Sequence, residues 1–156
     1  DPRFITRRLM ISASEDVGLA DPMALVLSTS AHQAAEFVGW PEARIPIAEA
    51  TVYLATAHKS NSAYTAINSA LEEVKNGRTI PVPKHLRDGH YSGAERLGNA
   101  EGYKYSHDYE GHYVAQDYLG VDARFYEPTE QGVEKKIKDR VLQWRSLQEK
   151  AKTDGG

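Results

Sequence analysis

His107, Asp108 and His112 place two imidazoles and a carboxylate within one short stretch, the mixture of nitrogen and oxygen donors that a divalent metal ion takes. Their spacing argues the other way. Two histidines share one helical face when they stand four apart with a glutamate between them, and here they are five apart with Gly111 interposed. The stronger reading makes them loop residues hydrogen-bonded within a packed segment, as buried polar groups are, and His85 and His90 share that reading. No metal site is expected. Ser14, Glu15 and Asp16 form a second polar group, but the alternating oxygen ligands and distal glutamate of a calcium loop are missing, and a helix end with its following turn accounts for them. Ser60 and Ser62 lie near His58, yet neither the nucleophile turn G-x-S-x-G nor the phosphate-cradling G-x-x-x-x-G-K-[ST] occurs in the chain. The chain is expected to be non-catalytic and to hold no cofactor.

Rings offer another chemistry. From His85 to Gly120 the sequence reads HLRDGHYSGAERLGNAEGYKYSHDYEGHYVAQDYLG, holding four of the six histidines and six of the nine tyrosines. Tyrosines beside Lys84, Arg87 and Lys104 could stack bases while the cations track phosphates, which is how single strands are held without sequence preference. Tyrosine is equally at home in protein contacts, and with a net charge of −3 and no basic stripe the protein-contact or packed-loop reading is the stronger. The segment is too long for an ordinary connection and too aromatic for disorder, so it is expected to be ordered around its rings.

The elements that must position these residues are helical. Asp1-Pro2 supplies an N-cap and a proline at the first helical position, opening a helix to about Ser14 with Phe4, Ile5, Leu9 and Ile11 as its apolar positions. Gly18 breaks the chain. Asp21-Pro22 repeats the start signal for a helix in which Leu25, Leu27, Ala31, Ala34, Ala35 and Val38 pack, ending at Gly39. After a Trp40-Pro41 turn, Pro46 is tolerable only near a helix start, which places a third helix from there to Ala57 with Ile47, Val52, Leu54 and Ala55 buried. Ser60 is the natural N-cap of a fourth, whose Tyr64, Ile67, Ala70 or Leu71, and Val74 make one apolar face. Pro81 and Pro83 then force an extended link. Past Pro128, Thr129 caps a final helix with Val133, Ile137, Val141, Trp144 and Leu147 on one stripe and basic residues mostly off it. No strand pattern is present. The sum is an all-α domain of about five helices over residues 1–156, with a long irregular segment over 78–128.

The bulk numbers agree with one soluble domain. The length of 156 residues is a single-domain length, and no apolar run approaches a spanning helix. With no cysteine, a reducing compartment is the simplest expectation, so the cytoplasm is favoured. The opening Asp-Pro reads as mid-protein sequence, and the chain is expected to be an excised domain. Thr153, Asp154, Gly155 and Gly156 are expected to fray.

The strings DPRFITRRLMISASEDVGLADPMAL, AHKSNSAYTAINSALEEV, VPKHLRD and GYKYSHDYEGHYVAQDYLG resemble, in order and over essentially the whole chain, the C-terminal region of the replication-associated recombination protein A family. These AAA+ ATPases include the bacterial maintenance-of-genome-stability protein and the eukaryotic Werner-helicase-interacting proteins. The resemblance implies a helical domain behind the ATPase core and lid, akin to the oligomerisation collar of clamp-loader subunits, through which homotetramers form. It also implies a further helix ahead of Asp1. For the intact protein it implies a DNA-dependent ATPase at replication forks, nucleoid-associated, with single-strand-binding protein as a partner and with ATP and Mg bound upstream of this chain. The marker positions it supplies are Ser14, Glu15, Asp16, Lys59, Ser60, Asn61, His85, Leu86, Arg87, Tyr103, His107 and Asp108. Of these, His85, Arg87, Tyr103, His107 and Asp108, together with Tyr109, are the candidates for bracing a subunit interface or contacting the ATPase module. The alternative from another class is a module binding single-stranded DNA or a partner protein through residues 84–118.

Overall fold

A computed structural model describes residues 1–77 and 80–154. It is all-α: α1 (Pro2–Ser12), α2 (Met23–Val38), α3 (Arg44–Thr56), α4 (Ser62–Lys75) and α5 (Glu134–Asp154), with no strand among the described residues. Arg78 and Thr79 of the irregular segment, and Gly155 and Gly156 of the tail, lie outside the described residues. Thr153 lies in the last turn of α5, its hydroxyl donating to Lys150 O at 2.7 Å. The chain divides into two compact units, Asp1–Glu72 with Phe125–Asp139, and Glu73–Arg124 with Arg140–Gly156.

In the first unit the start signals act as their chemistry requires. Asp1 Oδ1 accepts from Arg3 N at 2.9 Å and Asp21 Oδ1 from Met23 N at 3.2 Å, each satisfying an amide that the first helical turn leaves without a partner. α1 does not run to Ser14. It ends at Ser12 and loosens into a π-turn over Ala13–Val17, which Gly18 closes at φ 51. Pro46 occupies the first turn of α3, whose start lies two residues earlier than expected, and the Trp40–Pro41 bond is cis. At the far end of α3, Lys59 Nζ donates to Leu54 O and Ala57 O at 2.7 and 2.6 Å, covering carbonyls the helix cannot satisfy itself.

The core is made of small side chains. Ala13, Val17, Ala24 and Leu54 form one cluster, against which Leu9, Tyr53 and Ala57 pack. Ala35, Ala43 and Ile47 form a second, also touched by Leu9. Alanine on α2 lets its neighbours approach closely, so the buried row is Ala24, Ser28, Ala31 and Ala35, displaced from the larger residues. Leu25 and Val38, expected to pack, are exposed, as are Phe4, Ile5 and Ile11 of α1 and Val52 and Ala55 of α3. The apolar stripe of α4 is exposed along its length, and on α5 Trp144 and Leu147 are partly so. Two glycines carry the closest backbone approaches. A Cβ on Gly18 would collide with Ser60 O, and one on Gly132 (φ 53) with Ala20 O, where Val133 N donates to that same carbonyl at 2.9 Å.

The second unit holds most of the irregular segment. It is ordered by short 3₁₀ turns at Lys84–Leu86, Glu95–Leu97, Ser106–Asp108 and Glu110–His112. Ala94 and Val114 are buried. Tyr113 stacks on Trp144 at 4.8 Å with the planes 2° from parallel, Tyr118 OH donates to Val114 O at 2.8 Å, and Gln148 Nε2 donates to Gln116 O at 3.3 Å.

Candidate functional site

The first unit carries an apolar groove of about 570 Å³ between the end of α1, the π-turn, the start of α2 and the first turns of α4. Met10, Ile11, Leu25, Tyr64 and Ile67 line it, with Ser14 and Glu15 among its few polar residues. Leu25 is 43 %, Tyr64 44 % and Ile67 55 % exposed, and Leu71, one turn on, is 48 % exposed. Helical periodicity collected Tyr64, Ile67 and Leu71 on one face of α4, with Leu25 of α2 facing the same groove, but nothing within the unit covers them. A face of this kind marks contact with something else rather than an internal core.

Beside it lies a buried polar hub. Glu134, the first residue of α5, is fully buried. Its Oε1 accepts from Ser62 Oγ and from Tyr126 OH at 2.8 Å, and its Oε2 from Thr129 Oγ1. Ser60 Oγ donates to Ser62 Oγ at 3.1 Å, while Ser60 N donates to Asp16 O at 2.8 Å. Burial opposes ionisation of Glu134 most strongly, and the hydroxyls of Ser60, Ser62, Thr129 and Tyr126 together outweigh it, taking the carboxyl down to about 2. The position at a helix N-terminus favours the same charge. Ser60 and Ser62 are thus buried and committed to this hub, which leaves neither as an exposed nucleophile. Asn61, not Ser60, immediately precedes α4, and Ser60 Oγ accepts from Ser62 N at only 3.4 Å. Asp16 accepts from Ser12 Oγ within the turn that follows α1.

The six loop candidates do not converge on one point. His85 Nε2 donates to Asp117 O at 2.8 Å and Arg87 Nε to Val82 O at 2.7 Å, so both fasten loop backbone. Asp117 in turn accepts from Gly120 N and Leu119 N, and the amide of Gly120 chiefly holds its carboxyl below the usual carboxylate range. His90 Nδ1 lies 2.8 Å from Asp88 Oδ1, whose carboxyl is lowered chiefly by the His90 amide. Tyr103, His107, Asp108 and Tyr109 are exposed. The rings of Tyr105, His107 and His112 follow one another at centroid spacings of 5.0 and 4.9 Å. The rings of His107 and His112 have no hydrogen-bond partner among the described residues, unlike the packed-loop histidines the sequence led one to expect. Tyr109, Tyr113, Arg140, Trp144 and Leu147 border a cleft of about 620 Å³ in this unit.

Glu134 and Tyr126 escape sequence reading. A glutamate in a first helical turn is commonplace, and its partner Ser62 stands 72 residues away.

An all-α arrangement with an apolar groove, a hydroxyl-bound carboxylate buried beside it and a tyrosine- and histidine-rich loop defines a helical packing domain. Comparison with known proteins fixes its family. The model described as MgsA AAA+ ATPase C terminal matches residues 1–145, and the chain belongs to this family of AAA+ ATPase C-terminal domains. It is 51 % identical over 150 residues to an AAA domain-containing protein of Mycobacterium tuberculosis, covering 94 % of this chain and 33 % of that protein. It is 46 % identical over 135 residues to replication-associated recombination protein A of Bacillus subtilis, covering 85 % and 32 %. With replication-associated recombination protein A of Escherichia coli K12 the identity is 37 % over 153 residues, covering 96 % and 34 %. The chain thus spans about a third of the length of these relatives. Among the described residues no helix is long and apolar enough to cross a membrane.

Proposed function

We propose that this chain is a non-catalytic assembly domain, the collar-like part of a DNA-dependent AAA+ ATPase that acts at replication forks in recombination and repair. The observation that carries the reading is the uncovered apolar groove of α1, α2 and α4 with its continuation at Leu71. A second copy of the chain is the occupant, because membership of the family implies homotetramers and because assembly is the simplest use of a dry face on a helical domain. In the intact protein ATP and Mg are held upstream of this chain, and its partners are DNA at replication forks and single-strand-binding protein.

The test is the mass of the 156-residue chain by light scattering across a concentration series. The expected result is a mass near four times 17.3 kDa that persists on dilution, and that Ile67→Glu reduces with helix content unchanged. A monomer at every concentration overturns the self-assembly reading.

A second reading has one observation in its favour: Tyr103 and Tyr105 are exposed on either side of Lys104, a stacking pair with a cation between. It predicts affinity for single-stranded DNA that falls steeply with salt, since phosphate contacts release counterions.

A further inference from the structure

His107 and His112 are paired by their backbone. In a helix, residues five apart point roughly 140° from one another, which is why their spacing reads poorly in sequence. Two successive 3₁₀ turns, Ser106–Asp108 and Glu110–His112, replace the helix, and Gly111 at φ 65 followed by His112 at φ 54 folds the second ring back toward the first. For glycine the left-handed region is free, whereas for His112 it costs energy. The result is two exposed imidazoles with centroids 4.9 Å apart and planes inclined at 54°. Neither ring has a hydrogen bond among the described residues, so each can turn about its χ2 angle.

We propose that His107 and His112 form an open two-imidazole site for a late first-row divalent cation of the Zn²⁺, Ni²⁺ or Cu²⁺ class. An ion about 2.0–2.1 Å from one nitrogen of each ring stands ~3.2 Å from each centroid. Centroids 4.9 Å apart then subtend about 100° at the ion, between square and tetrahedral bond angles. Imidazole nitrogen selects these ions over Mg²⁺ and Ca²⁺, which require oxygen. Asp108 and Glu110 add two negative charges next to the histidines in sequence, with Lys104 as the nearest cation along the chain. No group of three or more His, Asp or Glu side chains surrounds a common point among the described residues. The site is therefore not a closed structural one, and its remaining positions belong to water or to donors from another molecule.

The chain is titrated with ZnCl₂ alone, in a buffer that does not bind metal, by calorimetry and by NMR of the histidine ring protons. The expected result is saturable uptake of one ion per chain, with the His107 and His112 ring signals moving together and those of His32, His58, His85 and His90 unmoved. His107→Gln and His112→Asn each weaken uptake by about tenfold or more, while His58→Ala and His90→Ala do not. Asparagine is chosen at 112 because it tolerates a positive φ, and unchanged circular dichroism shows that the fold is intact. Absence of saturable uptake, movement of the other histidines instead, or uptake that survives both substitutions overturns the proposal. MgCl₂ in place of ZnCl₂ is expected to give no heat and no shifts, and Mg²⁺ moving the same two rings also overturns it.

Discussion

Glu134 is the residue on which the first unit's stability depends most clearly. A carboxylate without water is tolerable only because Ser62, Tyr126 and Thr129 donate to it. Its folded pKa of about 2 lies below the ordinary 4.5. Its contribution, about 3 kcal/mol, is therefore fully present above pH 4.5 and is lost as pH falls toward 2. Glu134→Gln is expected to remove most of that amount at pH 7 and to flatten the dependence of stability on pH between 4.5 and 2, read from urea unfolding at a series of pH values. Equal loss at every pH would assign the effect to packing. This residue was not legible in the sequence, because burial at a helix start depends on what the fold brings to it from 72 residues away. His107 and His112 were legible as residue types but not as a pair, since only the positive φ at 111 and 112 brings their rings together.

Among the elements, the helices could be read closely and their faces could not. Aspartate caps, the first-turn proline and terminal glycines act within a few residues, so α2 and α3 begin and end, and α4 begins, within two residues of expectation. Which side of a helix is buried depends on its neighbours. In α2 the alanine and serine row won over Leu25 and Val38, because small side chains let helices come near. For α4, periodicity identified an apolar face but not what it meets: Ile67 is exposed. On the assembly reading, Ile67→Glu leaves the monomer's thermal midpoint nearly unchanged while lowering the mass in solution; unfolding instead would mean that the stripe packs internally. The contact between Gly132 and the carbonyl of Ala20 leads to the opposite expectation. Gly132→Ala forces both a strained φ and a backbone collision, and should cost at least about 2 kcal/mol in a thermal or urea melt.

At the scale of the whole molecule, charge is unevenly distributed between the two units. The first holds eight Lys and Arg against twelve Asp and Glu, the second eleven against ten. The second unit thus carries almost no net charge, and on the nucleic-acid reading any attraction to phosphate comes from local cations: oligonucleotide affinity is then expected to fall between 50 and 200 mM salt, measured by fluorescence anisotropy, with Lys104→Ala making the salt dependence shallower. Tight binding at high salt would instead favour base stacking in the tyrosine loop as the main source of affinity. All-α character and family membership were both readable from sequence, the first from periodicity and the second from four strings in order. What the groove receives was not, because an interface and a core share the same apolar pattern. One consequence of the first unit's interior concerns how such a molecule is surveyed. Seven of its ten buried apolar residues are already alanine, so an alanine scan would pass over most of the core in silence and direct attention to the surface. A scan that enlarges each position, alanine to valine or leucine, would outline the core instead.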